Sequence, residues 1–142
     1  MPVHIGGYLY KFDENEPIIR DGISGSKMIY VLEAGIVGVY KDSLLIAKIS
    51  KSGSIFGEMS VLLDIPRTAD VIALRESTVM EIPFEIDHLF TKHPEISMKI
   101  ARILALRLQD ITLSYQRLHV KLEEIQRAVK YDSSMKQQSM ML

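Results

Sequence analysis

Three residues near the middle of the chain, Gly57, Glu58 and Arg67, could together hold an anion that carries a hydroxyl beside its charge. Gly57 follows the apolar pair Ile55 and Phe56 and precedes a short apolar turn, Met59 to Leu63. The first N–H groups of such a turn have no intrahelical partner, so they form an anion site assisted by the helix dipole. Glycine at its start lets the backbone approach a ligand closely. Arg67, nine residues after Glu58, carries a guanidinium that can clamp a phosphate through two parallel hydrogen bonds. Glu58, an acceptor when ionised, suits a hydroxyl donor next to that phosphate. A small anion with an adjacent hydroxyl describes a ribose cyclic phosphate. Taken alone, a Glu and an Arg at this separation are better read as a surface ion pair, and such pairs contribute little.

The elements that must position these residues are short β-rich runs. Tyr8–Phe12, Pro17–Arg20, Met28–Leu32, Ile36–Tyr40, Leu44–Ile49, Val71–Leu74 and Thr78–Ile82 are separated by Gly, Asp and Ser turns. Many short strands at this spacing predict an all-β sandwich or barrel. Gly22, Gly35 and Gly53 read as strand terminators where positive φ is needed. After Pro83 the apolar period lengthens to that of a helix, with Phe84, Leu89 and Phe90 on one turn. His93-Pro94 breaks the chain and Pro94 can open a new helix, expected from about Glu95 to Val129. The polar stretch 130–142 is expected to fray.

That helix carries a seam. Leu108, Tyr115, Leu122 and Val129 recur every seven residues, and Leu104, Ile111, Leu118 and Ile125 form a second series offset by three. An unbroken a/d pattern of this kind is what a two-stranded coiled coil buries. At 1.5 Å per residue the helix outruns a small barrel beyond about Ile111, so a partner helix is the cheaper cover for Leu118, Leu122 and Ile125. The flanking positions, Arg107, Thr112, Ser114, His119, Lys121 and Gln126, hold no complementary charge code. A parallel homodimer is the reading favoured over packing on the same chain.

Composition narrows the chemistry. The 142 residues fit one domain, with 47% hydrophobic and 25% charged residues and a net charge of −1. That balance argues against non-specific nucleic-acid binding. There is no cysteine, hence no disulfide, thiol nucleophile or thiolate zinc site. The N-terminus lacks a secretion signal and no apolar stretch has the length of a membrane span, so a cytoplasmic, membrane-free protein is expected. His4, His88, His93 and His119 lack metal-site spacing, which disfavours a cupin-type metalloenzyme, and no Ser–His–Asp arrangement is suggested.

Phe56-Gly57-Glu58 followed by Pro66-Arg67-Thr68-Ala69 resembles the phosphate-binding cassette of cyclic nucleotide-binding domains. That family includes kinase regulatory subunits, gated channels and the bacterial catabolite activator protein. Phe12, Gly22, the run Tyr30 to Leu32, Gly35 and Gly53 fall at the family's spacing, so the resemblance covers roughly Tyr8 to Asp110. The Gly–Glu and Arg–Ala pairs together are specific; either alone is weak. The resemblance implies that the amides after Gly57, including that of Met59, hold the cyclic phosphate with Arg67, and that Glu58 accepts the ribose 2′-hydroxyl. Thr68, with Ala69 beside it, matches a position that touches phosphate or, in guanine-preferring members, the base. Arg107 falls where some members stack an arginine on the base, and Thr112 where the catabolite activator has an adenine contact. Three features depart from the pattern: Ser60 stands where Ala or Gly is commoner, Asp70 where Thr or Ser is, and the usual N-terminal helical segment is missing.

The expected fold is therefore mainly β with C-terminal helices: an eight-stranded, jelly-roll-like β-roll with a short cassette helix and a long C-terminal helix. Residues 1–103 would form the β-roll with its first C-terminal helix, 104–130 the dimerising helix and 131–142 a flexible tail. The expected function is a non-enzymatic sensor that binds cAMP in preference to cGMP, needs no metal, and signals to an unknown protein effector by moving the C-terminal helix. The alternative is a related module that no longer binds nucleotide and serves dimerisation or partner docking. Only thirteen residues follow Val129, which leaves no room for a helix-turn-helix and makes DNA binding unexpected.

Overall fold

The computed structural model describes residues 1–85, 88, 91 and 94–140, so Leu89, Phe90 and His93 lie outside the described residues. The chain divides into two compact units, Met1–Thr91 and Lys92–Leu142.

The first unit is built from two antiparallel sheets. One contains, in spatial order, β1 (Val3–Gly6), β2 (Leu9–Phe12), β9 (Ser77–Pro83), β4 (Met28–Ala34) and β7 (Ile55–Phe56). The other contains β3 (Pro17–Ile19), β8 (Asp70–Ala73), β5 (Val37–Lys41) and β6 (Leu44–Ile49). Period-two alternation sends one side chain in two toward the core. In β8 those are Val71 and Ala73, in β9 Ser77 and Val79, and in β4 Tyr30 and Leu32. All of these but Ser77 join Phe12, Ile19, Val37 and Phe56 in one apolar cluster, against which Tyr10, Ile18, Met28, Val39 and Ile49 pack. This is the β-roll that the resemblance implies, with nine described strands where about eight were expected. The two outside the seven runs listed from the sequence are β1, which pairs with β2, and the two-residue β7, which pairs with β4.

Two turns show why the chain reverses where it does. Asp42 and Ser43, between β5 and β6, both have positive φ (50° and 65°), the two-residue hairpin geometry whose twist matches that of the strands. Gly35, between β4 and β5, has φ +107°, and a Cβ there would lie 2.2 Å from Ser77 Oγ. Ser77 is 1% exposed, and its hydroxyl donates to Arg75 O at 2.8 Å while accepting from Ile36 N–H at 3.2 Å. Gly35 is thus more than a strand terminator: it makes room for the hydroxyl that ties the β4–β5 turn to β9.

Among its described residues the second unit contains one helix, α2 (Pro94–Met140), opened by Pro94 as the sequence predicts and continuing past the end expected near Val129. Leu108, Ile111, Tyr115, Leu118, Leu122, Ile125 and Val129 are all exposed along it. On its surface His119 Nε2 lies 3.3 Å from Glu123 Oε1, and Lys136 pairs with Asp132 at 3.4 Å, each contact spanning one turn. No helix among the described residues is long and apolar enough to cross a membrane.

Candidate functional site

The site is assembled by a strand too short to stand alone. β7 pairs with β4 through Tyr30↔Phe56 and Val31↔Ile55, and Phe56 stacks on Tyr30 with ring centroids 5.4 Å apart. The chain then turns left-handed at Gly57 (φ 79°, ψ 7°), which caps the six-residue helix α1 (Glu58–Leu63) without a side-chain bond. Asp64, also left-handed, ends α1 by donating its N–H to Ser60 O. Pro66 and Arg67 return the chain to β8, and here the backbone is stitched to the segment before β4. Arg67 N–H donates to Ile23 O at 2.9 Å, and Gly22 N–H donates to Arg67 O at 2.8 Å.

Arg67 is the centre of this assembly. Its side chain is buried, and both terminal nitrogens are engaged. Nη1 donates to Gly57 O at 2.6 Å and to Ser60 Oγ at 2.7 Å. Nη2 donates to Ser26 Oγ at 2.6 Å and to Met28 O at 2.7 Å. The guanidinium carbon lies 5.6 Å from the centroid of the Tyr30 ring, within cation–π range. A buried charge needs such compensation, and here these partners are neutral oxygens and a ring face. Burial, reinforced by the Glu81 carboxylate, raises the Tyr30 phenol above its ordinary pKa, with Arg67 pulling the other way.

The structure thus brings Gly57 and Arg67 into direct contact. It also shows what the glycine is for: a Cβ at position 57 would sit 3.0 Å from Arg67 Nη1, Ile19 Cδ1 and Tyr30 Cδ2. The space it vacates is taken by the chain's own atoms. Glu58 is buried at the start of α1, Met59 is exposed, Thr68 is exposed and Ala69 is half-buried. Arg107 and Thr112 belong to α2, in the second unit, where the Thr112 hydroxyl donates to Leu108 O at 2.8 Å. Asp70 lies on the β8 face opposite Val71 and Ala73, and its Oδ1 accepts from Asp21 N–H at 2.8 Å. Asp21 in turn pairs with Lys41 at 2.8 Å. The departure at Asp70 therefore belongs to a surface network.

Sequence reasoning missed Ser26 and noticed Ser60 only as an oddity. Both hydroxyls hold Arg67, and nothing in the sequence links Ser26 to a residue forty-one positions away. A pocket of about 650 Å³ opens beside them, lined by Ser24–Lys27, by Ser60, Val61 and Asp64–Pro66, and by Phe84, Glu85 and His88. None of the expected ligand residues lines it. Among the described residues no cluster of three or more His, Asp or Glu could hold a metal.

The first unit is thus a two-sheet β-roll with a short helix inserted before a buried arginine. The sequence model of the cyclic nucleotide-binding domain matches residues 9–86, more than half of the chain, and the chain belongs to that family. Among solved structures it is similar to a cyclic nucleotide-binding domain from Methylobacillus flagellatus KT, at 23% identity and TM-score 0.64, over 72% of this chain and 64% of that one. It is similar to the catabolite activator protein of Thermus thermophilus at 26% identity and TM-score 0.63, over 78% of this chain and 55% of that one. A third likeness is to PKAR CBD2 with Sp-2Cl-cAMPS bound, at 25% identity and TM-score 0.50, over 68% of this chain and 70% of that one. The chain therefore spans less than two thirds of the length of the first and second of these. No curated protein sequence matches it.

Proposed function

We propose that this chain is a cytoplasmic, non-enzymatic sensor that binds a cyclic nucleotide, cAMP ahead of cGMP, and converts binding into movement of its C-terminal helix. The observation that carries the reading is the buried Arg67 seated 2.6 Å from the Gly57 carbonyl, inside the segment that the family model matches. In this reading the cyclic phosphate takes over donors of Arg67 and meets the amides of the first turn of α1, Glu58 and Met59. Glu58 accepts the ribose 2′-hydroxyl, a charge-assisted bond strengthened by its burial. Thr68 and Ala69 lie beside the phosphate, while Arg107 and Thr112 of α2 reach the base. The cAMP preference draws on the likeness to PKAR CBD2, which holds a cAMP analogue. Ligand moves the helix only in so far as it contacts α2 better in one position than in another. The exposed seam from Leu108 to Val129 pairs two chains in parallel, and the moving helix is read by a protein effector.

Calorimetric titration with cAMP and cGMP tests the proposal. The expected result is saturable binding of both, tighter for cAMP, and loss of nearly all affinity for both in Arg67→Ala. Unchanged binding in that variant would overturn the assignment. A second reading has its own observation: both terminal nitrogens of Arg67 are satisfied within the chain, as in a module that keeps the fold and docks partners through α2. It requires no heat with either nucleotide and no nucleotide adduct in native mass spectra.

A further inference from the structure

We infer that Ser26 and Ser60 are positioning residues that hold the Arg67 guanidinium in a shut setting, which an incoming phosphate must open; this rests on the nucleotide-binding reading above. Each terminal nitrogen of a guanidinium carries two N–H groups. At Arg67 these four meet four acceptors at 2.6–2.7 Å: two backbone carbonyls, Gly57 O and Met28 O, and two hydroxyls, Ser60 Oγ and Ser26 Oγ. A two-bond grip on phosphate needs donors that are already spent, so ligand binding at this arginine is an exchange of acceptors.

The carbonyls yield less readily than the hydroxyls. Gly57 O belongs to the residue that caps α1, and Met28 O to the first residue of β4, so displacing either bends an element. A serine hydroxyl needs only a rotation about χ1. Each serine also has a partner to keep: Ser60 Oγ reaches Gly57 O at 3.5 Å, and Ser26 Oγ is 3.4 Å from Met28 N–H. The two serines are therefore the acceptors that the phosphate replaces, and they set how much of its binding is spent on opening the site. Deleting one hydroxyl strands a buried guanidinium N–H in the free protein, a cost relieved when phosphate arrives. Truncation should then tighten binding while weakening the free fold, opposite to the effect of a residue that contacts ligand.

The test is calorimetry with cAMP and cGMP on the wild type, S26A, S60A, S26T and S60T, with thermal melts of the free proteins. The Ala variants should bind about tenfold tighter, the equivalent of one stranded donor, and melt lower when free. The Thr variants, which restore the hydroxyl, should return toward wild type in both measurements. Equal or weaker binding by both folded Ala variants overturns the inference. Side-chain ¹⁵N NMR of the free protein judges it separately: slow guanidinium rotation with resolved Nη protons is expected for Arg67, lost in an S26A/S60A double variant. Averaged Nη signals in the wild type overturn the latch. If wild-type protein bound neither nucleotide, the function proposed above would fall, while the NMR result would still decide whether the serines hold the arginine.

Discussion

Arg67 and the seam of α2 are opposite answers to the problem of an awkward side chain. Around Arg67 a cation lies buried, and oxygens of the same chain meet the N–H groups of both its terminal nitrogens. Along α2, apolar side chains from Leu108 to Val129 stand in solvent at a spacing that suits another helix. The first region is complete as structure, so whatever binds there must compete with contacts already made. The second is incomplete, and whatever binds there adds contacts at no loss of existing ones. Affinity at the first should therefore respond to what is removed from the protein, and at the second to what remains exposed.

The widest gap between the two regions should come from deleting the arginine. Arg67→Ala is expected to reduce cyclic nucleotide affinity by roughly a hundredfold or more and, by leaving four acceptors without their donor, to lower unfolding free energy by about 3 kcal/mol. Isothermal titration and urea denaturation measure the two effects. Leu118→Glu, at the middle of the seam, should do the reverse: sedimentation should show monomer where a dimer is expected of the wild type, with the β-roll's melting midpoint unmoved. A wild-type monomer at high concentration would remove the seam from the comparison. Gly57→Ala ranks next, because its Cβ would press on Arg67, Ile19 and Tyr30 while its φ of +79° disfavours a side chain. A loss of about 1–3 kcal/mol in chemical denaturation is expected.

The smallest effect concerns pH. Burial raises the Tyr30 phenol in the folded state, so on alkaline titration the unfolded chain releases its proton first. Fewer protons bound in the unfolded state means that stability falls as pH rises through the ordinary tyrosine range near about 10. Tyr30→Phe should flatten that decline. An equal alkaline slope in the variant would show that Tyr30 is not its source.

Much of this architecture was legible because it rests on local patterns. The cassette from Phe56 to Ala69 announced itself through residue types at fixed spacing, and Arg67 does meet Gly57. Seven of the nine described strands were visible as short β-rich runs between turn residues. What escaped depends on distance or brevity. β7 has two residues, too few to display a period, and exists because β4 offers it an edge. β1 contains only Val3–Gly6 and is set by pairing with β2. Ser26 could not be connected with Arg67, since a hydrogen bond across forty-one residues leaves no trace in composition. The extension of α2 to Met140 follows helix-forming polar residues that carry no seam.

The contact between Gly35 and Ser77 has a bearing on how sequences of this fold can drift. A methyl group at position 35 would fall within 2.6 Å of both Ser77 Cα and Cβ, so trimming the serine to alanine, or even to glycine, relieves only part of the overlap. The backbone of β9 itself bars the way. Position 35 is thus closed to every side chain so long as the two strands keep this separation, whereas shrinking position 77 meets no steric bar and costs only the hydroxyl's bonds to Arg75 O and Ile36 N–H. Substitution there runs in one direction only, and a variant library at this pair should return survivors along a single axis.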